Sequence, residues 1–288
     1  MPNDHRSQPD PAAIDFATVA PGLGRGTPAP TGWLPVPDLP LTILVGLTGV
    51  GKSTTLAALA ETGMAVNLLP NRRDVTDWLI IAAMQTLDGD PIQPVTDRTA
   101  RFAYTRRYRE HFPGGMAHAL AQLSVDPARW PGDLIFDGLR GAEEVTHAAA
   151  ILPQARFVVL HAPDAVRVQR LLGRNDVFDR VDSFLHKTSQ GEIRSFADIG
   201  LPAASELFGP SQERSLLALV HRGAVTGTDL AAKLKIVVEE RRNYDPDAAL
   251  AALQTLAPSR TLLVDTTTYS PTEAAGRMAE FLQTPSPA

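Results

Sequence analysis

Eight consecutive residues, Gly46-Leu47-Thr48-Gly49-Val50-Gly51-Lys52-Ser53, carry the sharpest chemical signal in the chain. They fit G-x-x-x-x-G-K-[ST] in full. The glycines let the backbone fold tightly around phosphate oxygens, so that successive amide N–H groups and a helix N-terminus point at the anion. Lys52 would reach the β and γ phosphates of a nucleoside triphosphate, and Ser53 would offer its hydroxyl to Mg²⁺. The candidate nucleotide-binding residues are therefore Gly46, Thr48, Gly49, Val50, Gly51, Lys52, Ser53 and Thr54, the last being a further hydroxyl at the same helix start. A second element, Pro131-Gly132-Asp133-Leu134-Ile135-Phe136-Asp137, is an apolar run ending in an acid. Asp137 is expected to hold the Mg²⁺ through water at the carboxyl edge of a sheet. Hydrolytic ATPases of the mechanical kind carry a glutamate after this aspartate to activate water, whereas Gly138-Leu139-Arg140 follows here. That favours phosphoryl transfer to a bound acceptor, for which Arg140 is either a clamp or a surface residue of the next helix.

Arginine is concentrated in two further places. In the stretch from His161 to Arg174, read as a helix leaving a strand, Arg167, Arg170 and Arg174 fall within about 60° of one another, opposite Ala165, Val168 and Leu172. This face is either cationic toward a ligand or solvated and paired with Asp176 and Asp179. Asn71-Arg72-Arg73-Asp74 opens another helix, and Arg98, Arg101, Arg106, Arg107 and Arg109 crowd one segment with Tyr104 and Tyr108. These residues either bind an anion while a tyrosine stacks on a base, or form an exposed amphipathic helix. Asp74 and Asp97 are alternatives for orienting an acceptor hydroxyl, and His111, His118, His147 and His161 show no metal spacing.

Short apolar runs alternating with helical periods must position these groups, which is the signature of parallel βα units and an α/β class. The predicted strands are Leu41 to Val45, Met64 to Leu69, Leu134 to Asp137, Arg156 to His161 and Thr261 to Asp265. Gly63 is expected to end the helix after the first strand, and Ser270, Pro271 and Glu273 to start the last helix with a capping box. Residues 1–40 hold nine of the 24 prolines and read as a flexible or extended leader. The excess between the fourth and fifth strands, 175–259, contains helical periods and reads as a helical insertion or lid.

Composition bounds the rest. With 288 residues, 44% of them hydrophobic, the chain can bury one sizeable core or a core and a smaller unit. A net charge of −5 argues against a general nucleic-acid partner. The absence of cysteine excludes disulfides, thiolate metal sites and cysteine nucleophiles. The polar, proline-rich start lacks the apolar stretch of a signal peptide, and the apolar runs fall short of a membrane span, so a cytoplasmic location is expected.

Gly46 to Ser53, Asp137-Gly138-Leu139-Arg140-Gly141 with Glu143-Glu144-Val145, and the run from Ala162 to Arg174 together resemble the P-loop kinases of the nucleoside-monophosphate kinase and dephospho-coenzyme A kinase group. The resemblance covers Leu41 to about Arg174 and the terminal strand and helix. It implies a three-layer sandwich around a parallel five-stranded sheet, ATP as donor, an acceptor site across the cleft and an arginine-bearing lid. By the same resemblance, Arg174 and Arg180 would neutralise charge on the transferred phosphoryl group, beside Lys52 and Asp137, and Arg72 and Arg73 would hold the acceptor together with Arg140. The expected function is a Mg²⁺-dependent kinase acting on a small-molecule phosphate acceptor, such as a nucleotide or coenzyme precursor. The alternative is a nucleotide-gated switch or slow ATPase that uses the insertion as a partner surface.

Overall fold

The computed structural model describes residues 15–173 and 193–284. Three short strands, β1 (Ala17–Ala20), β2 (Leu23–Arg25) and β3 (Leu34–Pro35), precede β4 (Leu41–Val45) and α1 (Lys52–Glu61). Then come β5 (Val66–Leu68), α2 (Arg72–Val75), a π-helical stretch (Thr76–Ile81), α3 (Ala82–Asp88), α4 (Arg98–His111) and α5 (Met116–Ala121). β6 (Leu123–Val125), β7 (Asp133–Leu139), α6 (Ala142–Ile151), β8 (Ala155–His161) and α7 (Asp164–Leu172) follow. From residue 193 onward lie α8 (Ala204–Leu207), α9 (Pro210–His221), α10 (Gly227–Asn243), α11 (Pro246–Leu256), β9 (Thr261–Asp265) and α12 (Pro271–Gln283).

β4 is the centre of a five-stranded sheet in the order β5-β7-β4-β8-β9, with every neighbouring pair parallel. Leu41-Thr42-Ile43-Leu44-Val45 is buried throughout, because a central parallel strand is covered on both faces and needs apolar side chains on each. Alternation along the strands sorts them. Ile43, Phe136 and Phe157 pack with α5, α6 and α11, while Leu44, Ile135, Val158 and Val264 pack with Leu59 of α1 and with Ala274, Ala275 and Met278 of α12. This is the expected α/β sandwich. β4 and β9 have their predicted bounds, β7 and β8 run past theirs, and β5 is shorter, although Leu69 still donates to the Ile135 carbonyl at 2.8 Å. The end of α1 before Gly63 and the reciprocal Ser270–Glu273 capping box are also present.

Two boundaries differ from the sequence reading. Residues 15–40, read as part of a flexible or extended leader over 1–40, supply three short strands that join β6 in a second, antiparallel sheet in the order β1-β2-β6-β3. Leu23 and Leu34 both pair with Val125, about a hundred positions away, and Leu23 and Val36 join the main core. Strands of two to four residues separated by prolines give no periodicity to detect. The helical insertion expected over 175–259 is narrower at its far end. Ala249 and Leu253 of α11 pack in the main core, so that helix belongs to the sandwich. The insertion has its own apolar centre, in which Phe196, Phe208, Leu216, Leu230, Leu234 and Val237 close on Val168 and Leu171 of α7.

The sheet that carries the loop rests on residues such as Phe136, one position before Asp137 and wholly buried. Phe136→Ala should lower the free energy of unfolding by about 3–5 kcal/mol in a urea titration, through lost transfer energy and an unfilled cavity.

Candidate functional site

The glycine-rich loop leaves the carboxyl end of β4 and closes on the first turn of α1. Gly46 (φ +151°) passes so near β8 that a Cβ there would lie 2.7 Å from the Leu160 carbonyl oxygen. Gly49 (φ +86°) passes α7, and a Cβ there would lie 3.0 Å from the Arg167 carbonyl oxygen. Both positions require glycine for space and for backbone conformation.

The loop's carbonyls all have donors. Lys52 Nζ donates to the carbonyls of Gly46 (2.8 Å) and Leu47 (3.1 Å). Arg167 Nε takes that of Thr48 (2.8 Å), Arg170 Nη1 that of Gly49 (3.4 Å) and Thr266 Oγ1 that of Val50 (2.7 Å), while Thr55 N–H takes that of Gly51 (2.9 Å). The amides do the opposite. Among the described residues, nothing accepts from the N–H groups of Gly49, Val50, Gly51, Lys52, Ser53 or Thr54, although Gly49 and Val50 are buried. Buried donors without acceptors are costly, and two of them leading into the open amides of a helix start fit a polyphosphate anion.

Lys52 lies 3.7 Å from Asp137 Oδ1. Burial lowers the Lys52 pKa and Asp137 partly opposes that. Ser53 is exposed at the start of α1. The hydroxyl of Ser53 and the carboxylate of Asp137 are the oxygen donors that a hard cation takes, and Mg²⁺ commonly completes its octahedron with phosphate oxygens and waters. No cluster of three or more His, Cys, Asp or Glu occurs among the described residues, so any Mg²⁺ site here would be of that sparse kind.

The arginines are distributed differently from the expectation. Arg167 and Arg170 do not form a ligand-facing or solvated surface. Arg167 is buried and grips the loop, and Arg170 adds bonds to Thr266 Oγ1 (2.8 Å) and to the Thr266 carbonyl (2.7 Å). Arg72 makes a two-pronged pair with Glu144 (2.6 and 3.0 Å) and donates to the carbonyl of Gly138, the bulged position of β7 after Asp137, which leaves Arg72 little capacity for an acceptor. Arg73 is exposed beside it. In α4, Arg101 pairs with Asp77, Arg107 with Asp88 and Arg106 with Glu110, as an exposed amphipathic helix would. Tyr108 is buried and hydrogen-bonded to His118 (2.9 Å), and Asp97 caps α4 by accepting from Ala100 N–H (2.7 Å). Arg174 and Arg180 lie outside the described residues.

One participant was not anticipated. The carboxylate of Glu240, near the end of α10, accepts from Thr48 N–H (3.0 Å), Thr48 Oγ1 (2.5 Å), Arg140 Nη1 (2.7 Å) and Arg167 Nη2. Tyr244, just beyond α10, lies against both Arg72 and Arg140. The available sequence signal was an acid two positions after the apolar run Ile236, Val237 and Val238, seven residues from Lys233 and so on the same side of the helix.

The loop and the sheet that carries it define a P-loop-type α/β protein. No family model matches the chain, and no curated protein matches it. Among solved structures, a shikimate kinase from Acinetobacter baumannii in complex with shikimate is similar at 16% identity and a TM-score of 0.35, over 85% of this chain and 93% of that one. A sulfotransferase from Alicyclobacillus acidocaldarius is similar at 10% identity and a TM-score of 0.35, over 87% of this chain and 83% of that one. Likenesses this distant carry no information on the activity of this chain. No helix among the described residues is long and apolar enough to cross a membrane.

Burial pushes the Glu240 carboxyl up, but Arg140 and Arg167, then Thr48 and Lys52, outweigh it and hold the group below its ordinary value of 4.5. A depressed carboxylate contributes stability that is complete above its unfolded-state value and is lost as pH falls through its folded-state value. In urea titrations across pH, the stability gap between wild type and Glu240→Gln should therefore be full above 4.5 and shrink below it. Arg167→Ala takes one partner from the half-buried Asp164, which keeps Arg241, and one from the buried Glu240, which keeps Arg140, and should cost about 1–3 kcal/mol at neutral pH in the same titration.

Proposed function

We propose that this chain is a P-loop kinase that transfers the γ-phosphoryl group of ATP, with Mg²⁺, to a small acceptor of the nucleotide or coenzyme-precursor kind. The observation that carries the reading is the run of acceptorless amides from Gly49 to Thr54, set between a buried strand and a helix start with Lys52 and Asp137 at its edge. On this reading the amides and Lys52 bind the phosphates, and Ser53 and Asp137 hold the cation. The cation, when bound, neutralises charge on the phosphate oxygens and orients them. Arg140 faces the acceptor. Arg174 and Arg180 are proposed, on the family resemblance alone, to stabilise the group in transfer.

Gly138 after Asp137 supports transfer over hydrolysis, since no carboxylate adjoins Asp137 to activate water. A nucleotide-gated switch is the second reading, and the bonds from Glu240 on the insertion to Thr48 in the loop favour it, because they give the insertion a direct contact with the nucleotide site. ADP formation with Mg²⁺ should be measured against nucleoside monophosphates, dephospho-coenzyme A and small alcohols, with Lys52→Ala as control. Acceptor-dependent turnover that falls by about a hundredfold or more in Lys52→Ala is the expected result. Tight ATP binding with only slow, acceptor-independent hydrolysis would replace the kinase by the switch.

A further inference from the structure

We propose that Glu240 is a positioning residue of the phosphate site: it fixes Thr48 of the loop and Arg140 on the acceptor side at one point. The helical insertion is then a working part of that site. The inference rests on the reading of the loop as a nucleotide site and deepens it.

The placement of Glu240 is unfavourable on local grounds. It is near the carboxyl end of a seventeen-residue helix, where the peptide dipoles disfavour a negative charge, and it is buried. Something non-local has to compensate. Packing alone does not call for a carboxylate there, since an apolar residue would extend the neighbouring Ile236 and Val237 at no electrostatic cost. Nor does Arg167 depend on Glu240 for its whole balance, because Arg167 Nη1 already pairs with Asp164 at 2.5 Å. What Glu240 adds is a grip on two groups of the candidate site.

Thr48 is held on both sides of its backbone. Its carbonyl receives Arg167 Nε–H, while its N–H and its hydroxyl go to Glu240. It is the residue before Gly49, where the acceptorless amides begin, so fixing its two flanking peptide planes fixes the direction in which that run starts. The same Glu240 oxygen that takes the Thr48 hydroxyl takes Arg140 Nη1. Arg140 stands on the turn braced by Arg72 and Glu144, is partly exposed, and has no other side-chain hydrogen bond among the described residues. One end of its guanidinium is thereby tied, and the remaining N–H groups can meet an anionic acceptor. Holding such a group in advance removes ordering cost at the moment of binding.

The opposite idea is that Glu240 stands in for a phosphate and must leave when one arrives. Two observations weigh against it. Glu240 makes no bond to any amide from Gly49 onward, and Lys52 Nζ donates to the carbonyls of Gly46 and Leu47 and not to Glu240. Displacement would also strand a buried carboxylate beside a triphosphate.

The test compares wild type with Glu240→Gln, and with Thr48→Val and Thr48→Ser in case the first variant does not fold. Two quantities are read at a temperature where circular dichroism shows each protein folded. The first is hydrogen exchange of the Thr48 amide without nucleotide, and the second is calorimetric affinity for a non-hydrolysable ATP analogue with Mg²⁺. Expected are about tenfold faster exchange and about tenfold weaker affinity in Glu240→Gln, the same direction in Thr48→Val, and recovery of both in Thr48→Ser, which keeps the hydroxyl. Tighter analogue binding in Glu240→Gln would overturn the proposal in favour of displacement, and unchanged Thr48 exchange would overturn it outright. If wild type binds no analogue, the nucleotide reading fails, and the exchange measurement alone still decides whether Glu240 holds the loop.

Discussion

A peptide unit has two ends, and a backbone that leaves six consecutive N–H groups without protein acceptors must still satisfy the carbonyls. That constraint organises the centre of this molecule. Each carbonyl from Gly46 to Gly51 has a donor, and the donors come from α1 itself, from α7 and from the segment after β9. Arg167 and Arg170 are consequently braces. A guanidinium with several fixed donors can hold a carbonyl and a carboxylate together, which a lysine ammonium does less well. Asp164 and Glu240 then follow as the counter-charges that allow Arg167 to be buried.

The same logic explains where the sequence was readable and where it was not. Gly46 to Ser53 and its flanks are local: the fit of Leu41–Val45 to a buried strand and of Lys52–Glu61 to a helix needs no information from elsewhere in the chain. β9 is likewise a short apolar run between turn residues. The second sheet could not be read in this way, because Leu23 and Leu34 gain their register only from Val125. α11 has a helical pattern that is plain in sequence, yet nothing local tells whether its apolar face meets the insertion or α6.

The arginines show the limit most clearly. A local excess of positive charge in an acidic chain suggests an external anion, but Arg72 finds Glu144, Arg101 finds Asp77 and Arg107 finds Asp88, at separations of 19 to 72 residues. An arginine cluster read along the chain counts its own segment's charges and misses the acids that folding brings to it. The strand that carries Asp137 was legible because a short apolar run beside turn residues is a local property. Glu240 was not, because its partners Thr48, Arg140 and Arg167 lie 192, 100 and 73 residues away.

The insertion is tied to the sandwich in two chemically different ways, and the combination has a mechanical consequence. Val168 and Leu171 of α7 are part of its apolar centre, a contact that tolerates small adjustments of angle. The Glu240 end of α10 is fixed by directional bonds to the loop, which do not. Both α7 and α10 therefore reach Thr48, one through Arg167 and the other through Glu240. A shift of the insertion relative to the sheet would pivot on the apolar contact and be felt first at Thr48, one residue ahead of the acceptorless amides. The insertion and the loop share that residue, so a coupling between the two needs no longer path through the protein.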